Sequence, residues 1–237
     1  MKKMILFTLM PVYAVILCFL VSAAFWGSKT VTVVSENAAI KQRRSVIIDP
    51  GHGGVDGGAT SCTGILESAL NLEISKRLND LMHLLGINTI MVRETDISIH
   101  TEGDSIAAKK ISDLKQRVKL ANETENALLV SIHQNYYSDQ RYSGAQIFYA
   151  ETTDSDILAK KMQSALVNTL NPGSRRQAKK ASGIYLMDHI QCTGILVECG
   201  FLSNLQEEDR LRSKDYQLYL CCVIASVCSD YLFNTIA

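Results

Sequence analysis

Val46-Ile47-Ile48-Asp49-Pro50-Gly51-His52-Gly53-Gly54-Val55-Asp56-Gly57-Gly58-Ala59 is a short apolar run that breaks into a loop dense in glycine. The apolar part reads as a strand buried on both faces, the kind a parallel sheet contains. Pro50 stops it, and His52 sits at the break. A histidine on a glycine-rich loop at a sheet edge presents its ring with little bulk around it, which suits a metal or a substrate. By itself the loop is more readily a tight turn that uses glycine for its backbone freedom and carries a histidine incidentally. The rest of the chain decides between the two.

Outward from this stretch, Leu66, Leu70, Ile74, Leu78, Leu81 and Leu85 recur at helical spacing, and Gly86 closes the segment. A second apolar run covers residues 87–92, followed by a hydrophilic stretch to about Lys110. Residues 113–122 read as a short amphipathic helix with a solvated basic face. Residues 128–132 form a third strand that ends at His133, and residues 145–149 a fourth. Residues 157–170 are helical and stop at Asn171-Pro172-Gly173, and the basic run from Arg175 to Lys180 reads as an exposed loop. A fifth strand is expected at 184–187 and a sixth at 195–197, leading to Glu198, before a closing helix over 216–233. Strands alternating with helices predict a three-layer α/β/α domain on a mostly parallel sheet of about six strands.

The first 27 residues carry Lys2 and Lys3 ahead of an uncharged, mostly apolar segment. This reads as a membrane signal or anchor, long enough to span a bilayer, with Val21-Ser22-Ala23 as a candidate cleavage site. Either way the rest of the chain is expected outside the cytoplasm. Residues 28–44 read as a linker and 45–237 as one folded domain. Lys plus Arg and Asp plus Glu number 24 each, so bulk electrostatics give no reason to expect nucleic acid as a partner. Seven cysteines without a C-x-x-C pair argue against a zinc ribbon or a thioredoxin-type site. Cys221, Cys222 and Cys228 read as small buried hydrophobes.

In an open α/β sheet, ligands bind beyond the carboxyl ends of the strands. His52, His133 and Glu198 each follow a strand in this reading, and Glu67 opens the helix after the His52 loop. Two imidazoles and a carboxylate make the donor set of a catalytic zinc, and a further carboxylate would serve as proton carrier for amide cleavage. No His-Glu-x-x-His signature is present, and Glu67 alone would be an ordinary first-turn glutamate. His189 is the rival ligand, whereas His83 and His100 lack supporting neighbours.

Taken together, residues 48–54, Glu67, Ser131-Ile132-His133-Gln134-Asn135 and residues 196–204 resemble the zinc-dependent N-acetylmuramoyl-L-alanine amidases of the amidase-3 type. The resemblance runs from about Val46 to Asp230, with lesser agreement at 93–96 and 117–122. It implies that His52, Glu67 and His133 bind zinc, that Glu198 is the general acid/base, and that the substrate is the glycopeptide of peptidoglycan. The sequence looks most like the spore-cortex branch of that family, whose activity makes muramic-δ-lactam for germination and some of whose members are thought to need a lipoprotein partner. Thr193 stands where the family usually has proline. Asn135, Tyr136 and Arg93 are candidates for the substrate groove. The alternatives are a zinc carboxypeptidase on the stem peptide, with Arg175 or Arg176 capturing a terminal carboxylate, and a membrane-tethered wall-binding protein without catalysis.

Overall fold

The computed structural model of the chain describes residues 44–234; the expected anchor over 1–27 and almost all of the expected linker lie outside the described residues. A six-stranded sheet is built from β1 (Ser45–Pro50), β2 (Thr89–Met91), β3 (Ala127–Asn135), β4 (Gln146–Tyr149), β5 (Lys179–Lys180) and β6 (Thr193–Phe201) in the order β2-β1-β3-β6-β4-β5. All neighbouring strands run parallel except β4 and β6, which pair antiparallel. The helices are α1 (Glu67–Leu84), α2 (Ile106–Glu123), α3 (Ser155–Leu170), α4 (Tyr185–His189), α5 (Leu205–Arg212) and α6 (Lys214–Asn234).

Because side chains alternate across a strand, β1 sends Val46 and Ile48 to one face and Ile47 to the other, and all three are buried. On the first face they meet Leu70, Ile74, Leu78 and Met82, one stripe of α1 at four-residue spacing, together with buried residues of α3 and α6. On the second face Ile47, Leu129 and Leu196 pack with Ala121 of α2 and with Leu186 and Met187 of α4. The three-layer α/β/α expectation therefore holds. Helix α6 is long and apolar enough to cross a bilayer, but half of that stretch is buried and it packs on α1 and α3; it is a core helix.

The fifth strand expected at 184–187 is instead part of α4. A four-residue apolar run cannot distinguish strand from buried helix by period, and here Asp188 N–H donates to Ile184 O at 2.9 Å, closing a helical turn. The edge strand β5 lies in the basic run read as a loop. Helix α2 begins at Ile106, seven residues before the expected start, because Ser105 caps it: Ser105 Oγ accepts from Ala108 N at 3.2 Å. Helix α5 was not expected at all; Asn204 caps it by accepting from the amides of Gln206 and Glu207 at 3.0 and 3.1 Å.

Candidate metal centre

Past β1 the backbone is forced into an unusual shape. His52 has φ of +61°, a left-handed conformation that costs a residue with a side chain roughly 1–3 kcal/mol. Two buried arginines hold it. Arg117 donates from Nη2 to His52 O at 2.7 Å and from Nη1 to Pro50 O at 3.0 Å. Arg93 donates from Nε to Pro50 O at 3.0 Å, and from Nη2 to Gly51 O at 3.0 Å and Ser68 O at 2.9 Å. That last pair of bonds ties the His52 loop to the first turn of α1. Arg117 is itself paired with Asp49, and with Asp113 at 2.5 Å. The basic face of α2 is thus not wholly solvated, and Arg93, only 2% exposed, braces the loop instead of lining a groove.

Glu67 is the first residue of α1 and is buried. Its Oε1 lies 3.0 Å from His133 Nδ1 and accepts from Gln134 N at 3.1 Å and Asn71 Nδ2 at 3.3 Å. Its Oε2 lies 3.2 Å from His52 Nε2 and accepts from Ala59 N at 2.9 Å. Burial raises the pKa of this carboxyl, but the hydrogen bonds and charge of the two imidazoles outweigh it and hold the group far below the usual carboxylate range. The other nitrogen of His52 sits 2.9 Å from Asp56 Oδ2. Burial lowers the pKa of His52, and the carboxylates of Glu67 and Asp56 reverse this and raise it. One donor atom from each of His52, Glu67 and His133 lies within 4.8 Å of the others. Two imidazoles and a carboxylate at that spacing, one imidazole backed by a second carboxylate, fit a zinc ion with an open position.

Two glycines make this convergence possible. A Cβ on Gly51 would stand 2.2 Å from His133 Nε2, and one on Gly58 would stand 2.6 Å from Glu67 Oε2. They leave room for the donor side chains themselves.

His133 and Glu198 lie inside β3 and β6, not beyond them, and are register partners on these neighbouring strands. Both point to the face that carries Leu129 and Leu196. Glu198 Oε2 is buried and, among the described residues, has no hydrogen-bond partner. Burial pushes its pKa up to about 7, with the charge of Glu67 adding to the shift and the two histidines opposing it. A carboxyl poised there can both take and give a proton near neutrality.

The remaining candidates fall elsewhere. His189 stacks on Tyr185 with ring centroids 4.0 Å apart, His83 contacts Thr89, and His100 contacts Ser98. Arg176 lies over the Phe201 ring and donates to Ser143 O. Among the described residues Cys62, Cys192, Cys199, Cys221, Cys222 and Cys228 are all unpaired. The sequence reading missed Asp56, although its position four residues after His52 in the same loop was a signal. It gave no role to Asn71 or to Gln134, whose mutual hydrogen bond joins segments more than sixty residues apart.

A family model described as N-acetylmuramoyl-L-alanine amidase matches residues 46–226. The germination-specific N-acetylmuramoyl-L-alanine amidase of Bacillus subtilis is 41% identical over 174 residues, which cover 73% of this chain and 73% of that protein. The CwlD amidase from Clostridioides difficile, solved in complex with the GerS lipoprotein, is similar with a TM-score of 0.76 at 33% identity, covering 79% of this chain and 98% of that one. An N-acetylmuramoyl-L-alanine amidase from Clostridium difficile 630 is similar with a TM-score of 0.71 at 30% identity, covering 82% and 98%.

Proposed function

The chain belongs to the N-acetylmuramoyl-L-alanine amidase family, and from that premise we propose that it cleaves the amide joining the lactyl group of N-acetylmuramic acid to the L-alanine of the stem peptide, in the spore cortex, in preparation for germination. The observation that carries the reading is the pairing of a two-histidine, one-glutamate donor set with a second glutamate opposite His133 whose buried Oε2 has no hydrogen-bond partner among the described residues. His52, Glu67 and His133 would hold zinc, with Asp56 orienting the His52 ring. Zinc, when bound, supplies a Lewis acid at the carbonyl and lowers the pKa of its water towards ~7. Glu198 takes the proton of the attacking water and delivers it to the amide nitrogen as the carbon–nitrogen bond breaks, releasing the L-alanine amine. Arg93 and Arg117 keep His52 in its strained conformation throughout.

The likeness to the germination-specific and CwlD amidases supports the cortex as the site of action, and with it a location outside the cytoplasm and a lipoprotein partner of the GerS kind. The apolar N-terminal segment would supply membrane attachment. The carboxypeptidase alternative loses one proposed anchor, since Arg176 is engaged by Phe201, Ser143 and Gln146. Reverse-phase analysis of peptidoglycan digested by the zinc-loaded chain tests the proposal. The expected products are stem peptides with a free L-alanine amine and muramic residues without peptide. Release of a terminal D-amino acid with intact lactyl–alanine bonds would overturn it.

A further inference from the structure

Beside the two histidines lies a cavity of about 240 Å³. It is smaller than the ~300–1,000 Å³ that drug-sized ligands occupy, which suits an alanyl residue and the start of the next better than a disaccharide. Leu114, Ile184, Leu186 and Leu196 give it apolar lining, and Gly51, His52 and His133 also line it. Several charged groups also border it, and most are engaged. Arg117 bonds Asp49, Asp113 and two carbonyls. Asp49 also accepts from Ser131 Oγ at 2.6 Å, and Asp113 accepts from Ser98 and from Ile99 N.

Lys110 differs. Its Nζ lies 2.9 Å from Asp56 Oδ2, and the side chain is 46% exposed. An ammonium has three donors, so two point away from that single partner. Among the described residues lining the cavity, Lys110 is the cation with donors to offer a ligand. Its partner Asp56 is already held by His52 Nδ1 at 2.9 Å.

We propose that Lys110 reads a free carboxylate on the peptide side of the scissile amide. This rests on the amidase reading and extends it to substrate choice. The apolar cavity takes the alanyl residue. A second residue joined through its side-chain carboxyl leaves its α-carboxylate free, and Lys110 pairs with that group. Stem peptides carrying D-isoglutamate are then preferred over those amidated to D-isoglutamine, which present a neutral carboxamide at the same place.

The test uses the full-length zinc-loaded chain and two soluble substrates, N-acetylmuramoyl-L-alanyl-D-isoglutamate and its D-isoglutamine counterpart, each with its side-chain carboxyl capped as a methylamide so that the α-position is the one place where they differ. Steady-state kinetics give KM and kcat, and calorimetry on the Glu198→Gln form gives binding without turnover. The native chain should favour the carboxylate about tenfold in KM and in binding, with kcat little changed, as a charge-assisted contact common to ground and transition states requires. Lys110→Met should bring the ratio to about one, and Lys110→Arg should retain most of it. Equal KM for the two substrates in the native chain would overturn the proposal, as would a ratio that survives in Lys110→Met. If Lys110 served only to hold Asp56, Lys110→Met would weaken both substrates alike and the ratio would survive. Failure to cleave either lactyl–alanine bond would overturn the amidase reading instead, and the calorimetric ratio would then decide the carboxylate inference separately.

Discussion

Glu67 and Glu198 border the same pair of histidines in opposite surroundings. Glu67 has both oxygens occupied, by two imidazoles, two backbone amides and the Asn71 side chain, and its pKa falls far below the ordinary value. Glu198 has one buried oxygen without a partner among the described residues, and its pKa rises to about 7. A glutamate so thoroughly hydrogen-bonded is a fixed, permanently charged donor. One left dry, with an oxygen that has no partner among the described residues, is poised to change its protonation state near neutral pH. Two carboxyls whose surroundings push their pKa values apart are thereby assigned different work.

The largest expected effect comes from removing the mobile proton. Glu198→Gln should lower kcat on a soluble muropeptide by about 10²–10⁴-fold, while the thermal midpoint stays level or rises, because the amide needs no counter-charge. A variant that keeps near-native kcat would break the comparison. Next is the support behind the fixed side. Arg117→Met leaves Asp49 and Asp113 buried without their cation and should cost about 3–5 kcal/mol in denaturant titration; a loss under 1 kcal/mol would show that the His52 loop holds itself.

Asp56→Asn should weaken zinc binding about 10–100-fold in a competition titration with a chromophoric chelator, the usual size for a partner that orients a ligand. Unchanged affinity would remove Asp56 from the account. The smallest effects are pH slopes of the zinc-free protein, and they have opposite signs. For Asp49, burial raises the pKa, but Arg117, Ser131 and His133 depress it below its ordinary value. It therefore stabilises the fold above about pH 4, and that stability is lost as pH falls through the folded pKa. Glu198 has a raised folded pKa, so the native state binds more protons than the unfolded chain between about pH 4.3 and 7. Its contribution to stability declines as pH rises through that window. Glu198→Gln should flatten the decline in denaturation midpoints measured from pH 5 to pH 8, and an unchanged slope would place the titrating group elsewhere.

Much of this was legible in the chain because its signals are local. The runs at 46–48, 128–132 and 195–197 are short, apolar and bounded, as strands covered on both faces must be, and each leads to a residue of the site. The four-residue spacing of α1 located Leu70, Ile74 and Leu78 of its buried stripe, whereas Leu66 and Leu85 at its two ends are exposed and Met82 completes the stripe. The role proposed for Glu67 was not legible from spacing, since a first-turn glutamate has an ordinary explanation; the family resemblance implied it, and the structure sets its two oxygens beside the two imidazoles. The bracing roles of Arg93 and Arg117 escaped because a buried cation on an amphipathic helix or after a strand looks like a solvated one until its distant carbonyl and carboxylate partners are assembled. Residues 184–187 misled for a related reason: four apolar residues fit a strand or one buried helical turn, and only the packing of Leu186 and Met187 under the sheet decides.

The division of labour between the two glutamates is tested most directly by metal analysis of three purified proteins: the native chain, Glu67→Gln and Glu198→Gln. The account predicts stoichiometric zinc in the native chain and in Glu198→Gln, and zinc near background in Glu67→Gln. Zinc lost with Glu198→Gln, or retained in full by Glu67→Gln, would contradict it.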